Sequence, residues 1–178
     1  MSYAGSIIGI DPGLSGALAL WRPSTRELSV EDMPTLSLPK AGGKLRKEVD
    51  LYALARILDL WCSGQGVVAY VERVNPSPRI GGDKGGPRVP MGATAAFSFD
   101  GSYWTVRMGC ACNFIRHEVV LPQTWKKALT VPAAKDGARA RASVLLPEHS
   151  HLWRRVKDDG RAEAALIAVY GAQKESAA

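Results

Sequence analysis

The chain has 178 residues, 46% hydrophobic and 22% charged, the size and composition of one globular domain; no apolar run approaches the ~20 residues that a membrane span needs. A formal charge of +6 and a sequence pI of about 9.4 favour a polyanionic partner. Three cysteines, Cys62, Cys110 and Cys112, form no CxxC pair and have no His at finger spacing, so they read as reduced, mostly buried thiols and argue against a structural zinc.

In chain order, "SIIGI" reads as a buried strand, "DPGLSG" as a turn, and "ALALWR" and "LSVEDM" as two further strands joined at "PSTRE", together an antiparallel meander. Because Asp11 interrupts the first apolar run almost at once, no secretory signal is expected and the chain is assigned to the cytoplasm. Pro34 to Gly43 reads as a loop. From Asp50, a plausible N-cap, Leu51, Leu54, Ile57, Leu58 and Trp61 fall on one helical face, with Gly64 as the stop. "VVAYVE" is too continuously apolar for a half-solvated strand and is therefore expected to be central; it ends on Glu72. The Gly/Pro-rich stretch at about 75–93 offers neither helix nor ladder anything to build on and is expected to be a flexible loop within a single domain spanning 1–178. Thr94 to Phe114 reads as a helix, "HEVVLP" as a strand, and "PQTWKKAL" and "DGARARASVLL" as helices. A last helix starts near Asp158 and runs through "GRAEAALIAVYGA", leaving "KESAA" frayed. The order predicts an α/β fold: a mixed sheet with the first strand at its centre and helices on both faces.

In open α/β sheets, ligands bind beyond the carboxyl ends of the strands. Asp11 and Glu72 each close a buried strand at that edge, and they converge if those strands are parallel neighbours. Two carboxylates in a partly dry site repel unless a cation neutralises them. Asp159 and Glu163, at i and i+4, lie on one helical face beside small residues that permit close packing on the sheet. Of Asp158 and Asp159, one caps the helix and the other is free to bind; the spacing favours Asp159 as ligand and Asp158 as cap. Four carboxylates without His or Cys select Mg²⁺ or Mn²⁺, and two such ions ~3.5–4 Å apart can drive an in-line displacement at phosphorus. Each acid alone has a structural reading as a turn former, a salt-bridge partner or a helix-start charge; the four together, in this order, favour a nuclease site.

"IIGIDPG", "VVAYVERV", "PQTWKKAL" with the helix after it, and "DDGRAEAALIA" together resemble the RuvC-type Holliday junction resolvases, in particular those of phages and prophages, over about Ser6 to Ala172. The resemblance implies an RNase H-like fold, a mixed five-stranded sheet of three antiparallel strands followed by parallel ones. It also implies a homodimer, a divalent metal, and resolution of four-way DNA junctions by paired nicks. By position, Asp11 and Glu72 match the family's first two acids and Glu163 its last; Lys126 or Lys127, with Lys135, match lysines near the scissile phosphate. One departure is Gly160, where the family pattern sets an acid or His three residues before the last acid.

The positive charges gather in two tracts that suit DNA phosphates, Arg79, Lys84 and Arg88 in the Gly/Pro-rich loop, and Lys126, Lys127, Lys135, Arg139 and Arg141 with their neighbours towards the C-terminus. Phe97, Phe99, Tyr103 or Trp104 could stack on unpaired bases, against core packing for at least two of them. Three alternatives use the same residues: a broader branched-DNA or RNA nuclease of the same fold, a DNA-binding relative without catalysis, and an actin-like or sugar-kinase-like nucleotide-binding domain. The short length and basic pI weigh against the last.

Overall fold

In the computed structural model, the described residues are 5–39, 43, 45–63, 66–73, 79–80, 88–89 and 93–178; the side chains of 79–80, 88–89 and 93–99 lie outside that description. Strand β1 (Ser6–Asp11) sits at the centre of a five-stranded sheet with β2 (Ala17–Arg22) and β3 (Glu27–Asp32) on one side and β6 (Val67–Glu72) and β9 (Arg116–Val120) on the other, in the order β3-β2-β1-β6-β9. The first three strands pair antiparallel, whereas β1–β6 and β6–β9 are parallel. The side-chain period of two in β1 sorts the core into halves. Ile7 faces the layer built by α5 (Asp159–Ala177), whereas Ile8 and Ile10 face α1 (Leu51–Cys62) and α2 (Ala93–Cys112). The mixed α/β architecture matches the expectation.

Helix α5 reaches the sheet because both surfaces are small. Ala162, Ala164, Ala165 and Ala168 are fully buried, and a Cβ at Gly9 of β1 would collide with the backbone of Ala164 and Ala168. Helix α1 starts where expected: the Asp50 carboxylate accepts from the Tyr52 and Ala53 N–H groups. Its C-cap is Ser63, and Gly64 lies outside the described residues. Helices α3 (Pro122–Ala128) and α4 (Gly137–Leu145) complete the layer around α5.

Four expectations are corrected. Pro34 to Gly43 is not a plain loop: β4 (Thr35–Pro39) pairs antiparallel with β5 (Leu45–Val49), Leu36 opposite Glu48 and Leu38 opposite Arg46. Alternating Leu36 and Leu38 supply the strand period, and the flanking prolines sit at strand ends, where a missing N–H costs little. The tail is not frayed, because α5 continues to Ala177 with Glu175 anchored by the Tyr70 hydroxyl at 2.9 Å and Arg116 at 2.6 Å. The cysteines are not mostly buried; Cys110 is, Cys62 is half-buried and Cys112 is exposed. Within the Gly/Pro-rich stretch, Arg79–Ile80 (β7) and Arg88–Val89 (β8) form a short antiparallel ladder, while Lys84 lies outside the described residues. Among the described residues no helix is long and apolar enough to cross a membrane.

Candidate active site

Because β1 and β6 are parallel neighbours with Ile10 opposite Val71, the next residues, Asp11 and Glu72, leave the sheet side by side at its carboxyl edge. The turn after β1 folds over Asp11. The Gly13 N–H donates to Asp11 Oδ1 at 3.1 Å, and a Cβ at Gly16 would lie 2.8 Å from Asp11 Oδ2. Glycine at 16 is thus what lets the backbone roof the carboxylate. Glu163, one turn into α5, supplies the third acid.

These groups feel one another. Burial first, and the charge of Glu163 second, push Asp11 up to about 6, against the Gly13 N–H and Lys126, which act the other way. Burial, then Asp11 and Glu163, push Glu72 up to about 7, opposed by a hydrogen bond from Trp125 and by Lys126. Helix α3 delivers both opposing groups. The fully buried Trp125 indole donates to Glu72 Oε1 at 2.8 Å, and Lys126 Nζ lies 2.6 Å from Glu163 Oε1. Burial works against the Lys126 ammonium, but the hydrogen bond and charge of Glu163, with Glu72 and Asp11 behind it, outweigh burial and raise its pKa. Among the described residues, the three carboxyl groups therefore share the Lys126 ammonium, one positive charge against three acids.

The two aspartates at the start of α5 are paired with other groups. Asp159 Oδ1 is 2.5 Å from Arg139 Nε. Asp158 is buried and does not cap α5; its carboxylate turns back to accept from the Arg155 N–H at 3.0 Å and the Arg155 guanidinium at 2.8 Å, closing the short 3-10 turn Val156–Asp158. The physical reason is local. Arg155 lies three residues back, within reach of both the backbone and the side-chain bond. Gly160 also has a steric explanation: a Cβ there would lie 2.5 Å from the Ser15 carbonyl oxygen and 2.8 Å from Gly16 Cα, so no acid can occupy the position without moving the turn that roofs Asp11.

Of the candidate phosphate contacts, Lys127 and Lys135 are exposed, whereas Arg139 is committed to Asp159 and Arg141 Nε donates to the Leu129 carbonyl at 2.5 Å. Among the aromatics, Tyr103 is buried; Trp104 is 54% exposed and carries the Arg107 guanidinium 4.6 Å from its ring centroid. Trp125 is the site residue that sequence reasoning missed. Its signal was a Trp beside lysines on a short helix: a buried indole N–H needs an acceptor, and a carboxylate at a strand end is a suitable one.

The donor set is all carboxylate oxygen, the chemistry of Mg²⁺ or Mn²⁺, and its surplus negative charge is what a divalent cation would relieve. Among the described residues no three His, Cys, Asp or Glu side chains are grouped so as to hold a metal ion as they stand; Glu72 accepts from Trp125 and Glu163 from Lys126.

A central β1 flanked by an antiparallel pair and two parallel strands, with helices on both faces, defines an RNase H-like fold. Within that class the chain has a RuvC-like fold. It is similar to Thermus thermophilus RuvC in complex with a Holliday junction substrate, at a TM-score of 0.53 and 15% identity over 96% of each chain. It is also similar to a second structure of Thermus thermophilus RuvC, at a TM-score of 0.51 and 15% identity over 95% of this chain and 96% of the other. No protein-family model and no curated protein matches the sequence.

Proposed function

We propose that the chain is a metal-dependent, structure-specific DNA endonuclease that resolves four-way junctions by paired symmetric nicks, leaving 5′-phosphate and 3′-hydroxyl ends. The observation that carries this reading is the electrostatic coupling of three acids at the carboxyl edge of a RuvC-like sheet: Glu163 raises the pKa of both Asp11 and Glu72, and Asp11 raises that of Glu72. The Thermus thermophilus RuvC it resembles is in complex with a Holliday junction substrate, which supports branched DNA as the substrate class here.

Asp11, Glu72 and Glu163 would hold Mg²⁺ or Mn²⁺, two ions if Asp159 leaves Arg139 to join them. When bound, such ions supply activation of a water and stabilisation of the leaving oxygen. The protein's own share is placement. Trp125 fixes the Glu72 carboxylate, the turn at Gly13 fixes Asp11, and Lys126 and Lys135 counter charge on the phosphoryl oxygens. Exposed Lys127, Arg154 and Lys157 add phosphate contacts, so junction affinity falls steeply with salt. A homodimer would present two such sites to two strands of equal polarity, which makes the nicks symmetric and ligatable.

A second reading, a relative that binds DNA without cutting it, is favoured by one observation, the pairing of Asp159 with Arg139. Cleavage of a synthetic mobile four-way junction, compared with flaps, duplex and RNA hybrids, with Mg²⁺ or with chelator, separates the readings. Paired nicks in the junction with Mg²⁺ alone support resolution. Equal cutting of flaps or hybrids supports a broader nuclease, and tight junction binding without any cutting supports the inactive relative.

A further inference from the structure

Lys126 does more than line the site. Its ammonium is 2.6 Å from Glu163 Oε1, is felt by Glu72 and Asp11, and is held from behind by the Trp125 ring, whose centroid lies 5.0 Å away. The next residue back, Trp125, occupies Glu72. One short helix therefore places a donor on two of the three acids. Among the described residues, three nearby arginines are paired with other acids: Arg139 with Asp159, Arg155 with Asp158 and Arg161 with Asp32. Lys126 is half-exposed on a flexible four-carbon stem, so it can leave without unpacking the core.

We propose that Lys126 is a built-in counter-ion that neutralises the acids while no divalent cation is bound, and so competes with that cation for Glu163 and weakens its binding. This rests on the reading of the acids as a metal site. A lysine that only contacts substrate phosphate would not affect metal binding in the absence of DNA. A counter-ion must, because an entering cation has to displace an existing ion pair. Once displaced, the ammonium is a free positive charge beside the acids and available to an incoming phosphate, so the same residue couples metal loading to DNA engagement.

The test uses the full chain, without DNA, titrated with Mn²⁺ at fixed pH and ionic strength and followed by the EPR signal of free Mn²⁺. Lys126→Met should bind Mn²⁺ about tenfold more tightly than the wild type. Lys126→Gln, which keeps a hydrogen-bond donor but no charge, should do the same. Lys47→Met removes a positive charge from β5, outside the site, and should bind like the wild type. In chelator, Lys126→Met should melt below the wild type and gain more from added Mn²⁺, a readout available should either variant be marginally folded. Equal or weaker Mn²⁺ binding by the Lys126 variants, with the wild type still binding, overturns the counter-ion while leaving the metal site standing. Absence of Mn²⁺ binding in all of these proteins overturns both. An equal gain in Lys47→Met would reduce the effect to net charge and overturn the local role.

Discussion

Asp11 and Glu72 are costly residues in a protein without a bound cation, and the cost has a pH signature. Their ordinary values are 3.8 and 4.5, and in the fold they titrate near 6 and near 7 because burial and the neighbouring acids oppose ionisation. A raised carboxyl binds its proton more tightly in the folded state than in the unfolded one. Its contribution to stability is therefore full below about pH 4 and is lost as pH rises through about 6 to 7. In chelator, urea unfolding should show stability falling by about 1–3 kcal/mol across that window. Asp11→Asn should flatten the fall and Mg²⁺ should reverse it in the wild type; an unchanged slope in Asp11→Asn would contradict the electrostatic account. Asp32, held low by its hydrogen bonds from Arg161, and Asp158, held low by Arg155, act in the opposite sense at more acid pH, so they do not confuse the test.

At the scale of elements, α5 positions Glu163, and small residues let it do so. Gly160 packs against the turn Ser15–Gly16, and Gly9 gives α5 its seat on β1. Gly160→Ala should cost about 1–3 kcal/mol in chemical unfolding, since neither contact is a flexible side chain that can yield. It should also lower cleavage by displacing Glu163, and a neutral result would show that the helix start is not fixed by this contact. Strands β1, β2 and β6 were legible as short apolar runs bounded by turn residues, and α1 because its apolar residues repeat at three to four. The β4–β5 hairpin was not, because prolines punctuate a strand that lies outside the main sheet and bears mostly solvated residues. The order of α5's final turn was equally hidden, since it rests on Glu175 meeting Tyr70 and Arg116, partners 105 and 59 residues away.

For the whole molecule, the placement of Asp11 beside Glu72 could be read from sequence once the two strands were taken as parallel neighbours, and the register of β1 on β6 is what joins them. Glu163 was legible from helical spacing and the small residues around it. The partition of Asp158 and Asp159 was not, because it depends on which arginine reaches each: Arg155 from the preceding turn, Arg139 from α4. Nor was the commitment of Arg139 and Arg141 inside the fold, which leaves the exposed lysines and Arg154 as the solvent-facing part of that tract. The most direct measurement is to assay wild type and Asp11→Asn side by side for binding and for Mg²⁺-dependent cleavage of one four-way junction. The account predicts comparable affinity and a loss of cutting of at least about a thousandfold in the variant; cutting by Asp11→Asn at the wild-type rate would contradict it.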